Sequence, residues 1–264
     1  MSIEPPSRVA AGARKHLPLI ATIVVIGVNA AANIAPINGY STGGLSDLNP
    51  TGFTPAGWVF SIWGLIYLGL VAFSLFQSFG SSADIKRGEQ IIALYALSAV
   101  ANISWIFSWH YRQVELSFVV MLVLFGSLIA IYQKLRASHS AGWKETLLVD
   151  APFRLYLGWI TTAVIANLGA VFFSQKFYPF GLQMDQWAIV SVATALAIYV
   201  WTGVVTRDAI FSSVFIWASL GIFYRPSGVT EPVRLVAITG TFITLVLVIW
   251  IFGSKSPERD PVKS

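Results

Sequence analysis

The sequence predicts an all-α, polytopic membrane helical bundle, and three observations carry that prediction. Mean hydropathy is +0.70. Hydrophobic residues make up 56% of the chain and charged residues only 11%, which excludes an ordinary soluble globule. Charge-poor runs of about twenty residues recur along the chain, the length a helix needs to cross a hydrocarbon core of about 30 Å. A membrane β-barrel would instead alternate in pieces of about ten residues. The chain has no cysteine, so disulfides, thiolate catalysis and iron–sulfur ligation are excluded. The net charge of +5 arises from bases in short loops beside apolar runs. That is a topology signal, not a nucleic-acid footprint, and the expected partner is membrane lipid.

Eight spans follow in order, at about 17–36, 55–79, 90–109, 115–135, 152–173, 187–206, 209–223 and 233–252. The first follows Arg14-Lys15 and is read as a retained helix, because it is long and the next span follows closely. The seventh, with 15 residues, covers only about 22 Å. It is a short span, a re-entrant helix, or a continuation of the sixth. Orientation rests on lysine and arginine near the span ends. With eight spans and both termini cytoplasmic, thirteen of the seventeen bases lie inside. Arg112, Lys176, Arg225 and Arg234 lie outside. Removing the seventh span gives twelve inside, a slightly weaker bias. The connector from Ile37 to Thr54 is rich in glycine, asparagine and proline. It reads as an outer surface loop or as a cover over a cavity mouth. The tails Met1–Arg8 and Ser254–Ser264 are polar and are expected to be mobile.

Polar and aromatic residues share helical stripes in several spans. Phe60, Trp63 and Tyr67 fall at i, i+3 and i+7, with Trp58 near the edge of that face. Asn29 and Asn33 are one turn apart. Asn102, Trp105 and Trp109 form a second aromatic stripe, and Trp159, Ala163 and Asn167 a third. Buried amides in hydrocarbon either join helices, at about 0.6–2 kcal/mol per contact, or mark a cavity. Gly158, Thr161, Thr162, Ala163 and Ala166 read as a close-packing surface. Asp150 fits a helix N-cap with Pro152 in the first turn. Asp150 with Arg154, and Arg207 with Asp208, read as local interfacial ion pairs. No carboxylate falls in mid-span, which argues against a proton relay. No metal-ligand spacing is present. His16, His110 and His139 lie near span ends, and His110 stands as a candidate axial ligand against the plainer reading of a solvated interfacial histidine.

Taken together, three segments resemble the tryptophan-rich sensory protein (TspO/MBR) family, which includes the translocator protein or peripheral-type benzodiazepine receptor. Pro55-Ala-Gly-Trp58-Val-Phe60-Ser-Ile-Trp63-Gly-Leu65-Ile-Tyr67 is similar to its second-helix motif. Asn102-Ile-Ser-Trp105 is similar to its third-helix motif, and Tyr156-Leu-Gly-Trp159-Ile-Thr-Thr-Ala163-Val-Ile-Ala-Asn167 to its fifth. The chain departs at Ala56 and Leu155, where the family has proline, and at His110, where it has an aromatic residue. The resemblance covers about residues 15–175 as a five-helix unit, with 185–255 as a C-terminal transmembrane extension. It implies an inward cavity for a porphyrin or other tetrapyrrole, with sterols in some members, and no obligatory cofactor. The cavity residues it implies are Trp58, Phe60, Trp63, Tyr67, Asn102, Trp105, Trp159, Ala163 and Asn167. Light-dependent porphyrin breakdown, reported in some members, would here involve Trp58 and Trp159. Against this binding or sensory role stands a structural or accessory role in a homodimer or larger membrane complex.

Overall fold

The computed structural model describes residues 14–138, 140 and 142–254. The remaining tail residues and His139 lie outside the described residues. Among the described residues there is no strand, and ten helices of six residues or more are present. Eight of them traverse the bundle: α1 (Leu17–Ile34), α3 (Ile62–Phe79), α5 (Ile92–His110), α6 (Val114–Ala137), α7 (Ala151–Gln175), α8 (Met184–Thr206), α9 (Ala209–Phe223) and α10 (Glu231–Gly253). Seven are long and apolar enough to cross a membrane, α3 together with its preceding turn Gly57–Ser61, and α9 is the shorter exception. Two more helices lie in connectors: α2 (Thr42–Asp47) and α4 (Ser82–Glu89). The charged α4 belongs to none of the apolar runs. Its N-terminus is capped by Ser81, whose Oγ accepts the Asp84 amide at 3.4 Å.

Alternation of direction is visible in the cross-helix contacts. Thr22 meets Tyr95, and Asn29 meets Asn102, so α1 and α5 run parallel. Ser74 near the end of α3 reaches Pro18 at the start of α1, so these two are antiparallel. The short α9 also runs from one end of the bundle to the other. At its start, Asp208 accepts a hydrogen bond from Tyr132 Oη at 2.9 Å and lies 3.5 Å from Arg154. At its far end, the Gly221 carbonyl accepts the Ala56 amide at 3.0 Å. It is therefore neither re-entrant nor a continuation of α8.

α9 fits among its neighbours because they approach at glycine. A Cβ on Gly158 of α7 would sit 2.7 Å from Val214, and one on Gly240 of α10 would sit 2.9 Å from Phe215. Gly221 of α9 in turn receives Val59, which a Cβ would meet at 2.1 Å. One hydrophobic core runs through all of these elements, from Ile66 and Phe153 to Phe215 and Ala237.

The end of the bundle that holds Arg14 and Lys15 is closed by buried charge. Arg87 of α4 grips Asp150 with two hydrogen bonds, at 2.7 and 3.1 Å. Arg154 lies 4.0 Å from Asp150 and bridges it to Asp208. The expected Asp150–Arg154 pair is therefore present, but the closer partner of Asp150 comes from 63 positions earlier in the chain. Asp150 lies in a π-helical turn (Thr146–Asp150) and makes no side-chain cap. Arg207 does not pair with Asp208; it stacks over Trp250 at 4.4 Å.

Replacing Gly158 by leucine is expected to overpack the α7–α9 contact and to cost about 1–3 kcal/mol. Thermal unfolding in detergent checks this. Gly64→Leu, at a lipid-facing position with no atom within 4 Å of the added carbon, should leave the midpoint unchanged.

Candidate functional site

Three tryptophan-bearing stripes converge at the end of the bundle opposite the buried charges. The chain enters α3 through the 3-10 turn Gly57–Ser61. Phe60 and Trp63 then face α7, where Phe60 meets Trp159 edge-on at 5.8 Å and Trp63 does so at 6.4 Å. From α5, Trp105 and Trp109 contribute a nearly parallel pair with ring centres 6.0 Å apart. Between them lies a slot. Phe60, Trp63, Trp105, Trp109 and Trp159 form its aromatic walls, and Thr162, Ala163, Ala166, Asn167 and Ala170 form one face of α7. Ser46, Asn49, Thr54 and Pro55 close it from above. The slot is narrow, with a volume of about 50 Å³.

Two of its donors have no acceptor. The indole N–H groups of Trp105 and Trp159 are buried and make no hydrogen bond among the described residues. Leaving a buried donor unpaired costs about 1–3 kcal/mol, so each is a place where an incoming acceptor gains. Asn167 is held by Ser117, with amide-to-hydroxyl contact at 3.2 Å.

The structure brings together Phe60, Trp63, Trp105, Trp159, Ala163 and Asn167 of the expected cavity residues, and leaves three outside the slot. Trp58 is 45% exposed and packs edge-on against Trp217 at 4.8 Å. The 3-10 turn breaks the α-helical phase that would have put it beside Phe60. Of the two expected photochemical tryptophans, only Trp159 adjoins the slot. Tyr67 stacks behind Trp63 at 5.5 Å. Asn102 is fully buried between helices, accepting from Asn29 at 2.8 Å and donating to Tyr156 Oη at 3.0 Å. Trp109, Ala166 and Ala170 were not among the expected residues. Helical spacing signals them all: Trp109 follows Trp105 by four, and Ala166 and Ala170 follow Ala163 by three and seven.

His110 is neither solvated nor open to a metal. It is completely buried. Its Nδ1–H donates to the Ile37 carbonyl at 3.1 Å, and Nε2 accepts from Thr42 Oγ1 at 3.1 Å. This assignment follows from the carbonyl, which can only accept. Both ring nitrogens are therefore spent on holding the connector. No group of three metal-ligating side chains occurs among the described residues.

That connector is a folded cover, not a plain loop. Its first half is tied to α1 and α5: Asn33 Oδ1 accepts the Thr42 amide at 3.1 Å, and Trp109 Nε1 donates to the Thr42 carbonyl at 3.3 Å. Its second half is tied to the C-terminal helices. Arg225, only 8% exposed, donates to the Thr54 and Pro55 carbonyls at 3.0 and 3.2 Å and to Asp47 at 2.8 Å. Trp217 Nε1 donates to the Val59 carbonyl at 2.9 Å. The extension thus holds the roof of the slot.

A family model described as TSPO-like protein matches residues 15–252, through both the tryptophan-bearing helices and the C-terminal ones. No curated protein and no solved structure matches the chain.

Arg225→Met should free the second half of the roof while leaving the first half held by His110. Charge-assisted hydrogen bonds contribute about 1.5–3 kcal/mol each, so amide exchange over residues 48–56 should accelerate roughly ten- to hundredfold. Exchange at Ile37–Thr42 should not change. Equal rates in the parent and in Arg225→Met over residues 48–56 would show that Arg225 does not hold the roof.

Proposed function

The chain belongs to the TSPO-like protein family and is an integral, multi-pass membrane protein, and on that premise we propose that it binds a flat apolar ligand, in the first instance a tetrapyrrole, at the aromatic slot. The observation that carries the reading is the pair of buried, unpartnered indole N–H groups on Trp105 and Trp159. A ligand with a π-face and acceptor atoms at its edge meets both requirements: ring stacking on the walls and partners for the donors. A saturated hydrocarbon would meet only the first.

Volume sets a condition on this reading. Drug-sized ligands occupy pockets of about 300–1,000 Å³. The slot's volume of about 50 Å³ falls well below that range. A macrocycle therefore enters only as the roof over Ser46, Asn49, Thr54 and Pro55 lifts. The roof is the natural moving part, because it is a connector held at a few points, while the walls are helices packed through the core. Among the described residues, Arg14, Lys15, Lys86, Arg87, Lys134, Arg136, Lys144, Arg154 and Arg207 lie at one end of the bundle, and only Arg112, Lys176, Arg225 and Arg234 at the other. The positive-inside rule favours a cytoplasmic first end, with both termini on that side, and a slot that opens outward.

Protoporphyrin IX titrated into detergent-purified protein should bind saturably, read as a shifted Soret band and tryptophan quenching. Ala163→Phe fills the slot and should weaken binding roughly five- to hundredfold, in line with about 1–3 kcal/mol of overpacking. Trp58→Phe should bind as the parent does. Unchanged binding in the Ala163 variant, or loss on changing Trp58, rejects the slot as the site.

A further inference from the structure

We infer that the wider groove adjoining the slot is an anion-binding subsite, and that the ligand is a flat aromatic acid whose carboxylate sits there between Arg112 and Lys176. The inference rests on the slot reading above and narrows its ligand class. The groove lies at the outer end, between the end of α5, the start of α6 and the end of α7. It shares Asn49 and Trp109 with the slot, so the two are continuous. Its volume is about 610 Å³, within the range of ligand pockets. The acidic arm and the near edge of a ligand thus fit in the groove, and the rest of its ring enters the slot as the roof lifts.

The walls of the groove are chemically divided. Trp109, Phe173 and Tyr178 offer rings, while Arg112 and Lys176 offer two positive charges. Neither cation has an ion-pair or hydrogen-bond partner for its side chain among the described residues. Every other arginine near the outer end is committed: Arg225 to Asp47 and the roof carbonyls, Arg234 to Glu231 and the Phe223 carbonyl. The nearby acid, Glu115, is engaged by Ser174 at 3.2 Å and by Gln175, not by either cation. Arg112 and Lys176 also sit just beyond the C-terminal ends of α5 and α7. The partial negative charge of those ends, about half a unit each, would repel an anion, but two full positive charges outweigh it.

An aromatic path connects the two regions. Trp109 lines both, and Trp105 lies nearly parallel to it at an interplanar angle of 15°. Trp105 carries one of the unpartnered N–H donors. A planar ligand lying along this path would place ring acceptors near that donor and an acidic arm at the two cations. Neither a neutral sterol-like molecule nor a simple hydrocarbon uses both features.

The test compares protoporphyrin IX with its dimethyl ester, and pyrenebutyric acid with pyrenebutanol, on the full chain in neutral detergent. The parent protein should prefer each acid over its uncharged counterpart roughly three- to tenfold, the range for two solvent-accessible charge contacts. The preference should shrink with added salt. In Arg112→Gln/Lys176→Gln, whose unfolding midpoint should match the parent's, acid and neutral forms should bind equally well. Equal binding in the parent, or equal loss of both forms in the variant, overturns the subsite. So does retention of phosphatidylglycerol over phosphatidylcholine that the variant abolishes without any acid preference, which assigns the charges to a lipid headgroup. If pyrenebutyrate shows the charge dependence while neither porphyrin binds, the subsite stands and the tetrapyrrole reading falls. If no flat acid binds, both fall.

Discussion

The structure depends on one short helix held inside protein at both of its ends. With 15 residues, α9 is about 22 Å long and too short for a hydrocarbon core of about 30 Å. In lipid, its unpaired terminal amides and carbonyls would each cost several kcal/mol. Here both ends find partners within the protein. Asp208 accepts the Phe211 amide at 3.0 Å, and the same carboxylate is held by Tyr132 and Arg154. At the other end, Ala56 donates to Gly221 and Arg234 to Phe223. Glycine contacts bring α7 and α10 close enough to surround it laterally. Short length is tolerable because the neighbours supply what water would supply to a soluble helix.

That constraint reaches the slot. Fixing the C-terminal end of α9 also fixes Arg225, two residues beyond it, against the roof carbonyls. The Ala56–Gly221 and Trp217–Val59 bonds lock the turn that delivers Phe60 and Trp63 to the walls. The roof is therefore held from two independent sides, by His110 and Trp109 on α5 and by Arg225 from the extension. Releasing one leaves the other in place. This arrangement lets a connector swing about its first half without disturbing the walls, provided that the bonds from Arg225 exchange for others.

Much of this was legible in the sequence, for identifiable reasons. The eight traversing segments appear because apolar length in a membrane protein is a strong, local signal, and their bounds differ from the structure by only a few residues. The slot walls at Trp63, Trp105, Trp159, Ala163 and Asn167 follow from helical periodicity. Trp58 does not, because periodicity was carried through a stretch that folds as a 3-10 turn. Asn102 shares a face with Trp105, yet periodicity says nothing of which neighbour takes its amide, and Asn29 and Tyr156 do. Asp150 and Arg154 are one turn apart, but the better geometry belongs to Arg87, and no local pattern reveals a partner 63 residues away. Arg225 gave no signal, since a lone arginine in a short connector looks like any other. The helix Ser82–Glu89 escaped because it is charged, although Ser81 and Asp84 stood in capping positions.

The C-terminal helices pack directly against α7 of the five-helix unit. In a five-helix bundle surrounded by lipid, each helix keeps an outward stripe of exposed apolar residues. α7 has no such stripe across its middle: every residue from Tyr156 to Thr162 is buried, a run that spans all sides of nearly two turns. Tyr199 from α8 covers one of those sides, its hydroxyl 2.8 Å from Thr162 Oγ1, and Val214 from α9 covers Gly158. Exposed to lipid, Gly158, Thr161 and Thr162 would present a small, partly polar patch with little to pack against it. The C-terminal helices turn that surface into core, and in doing so bring Arg225 to the roof. The same contacts that complete the fold thereby set how tightly the slot is covered.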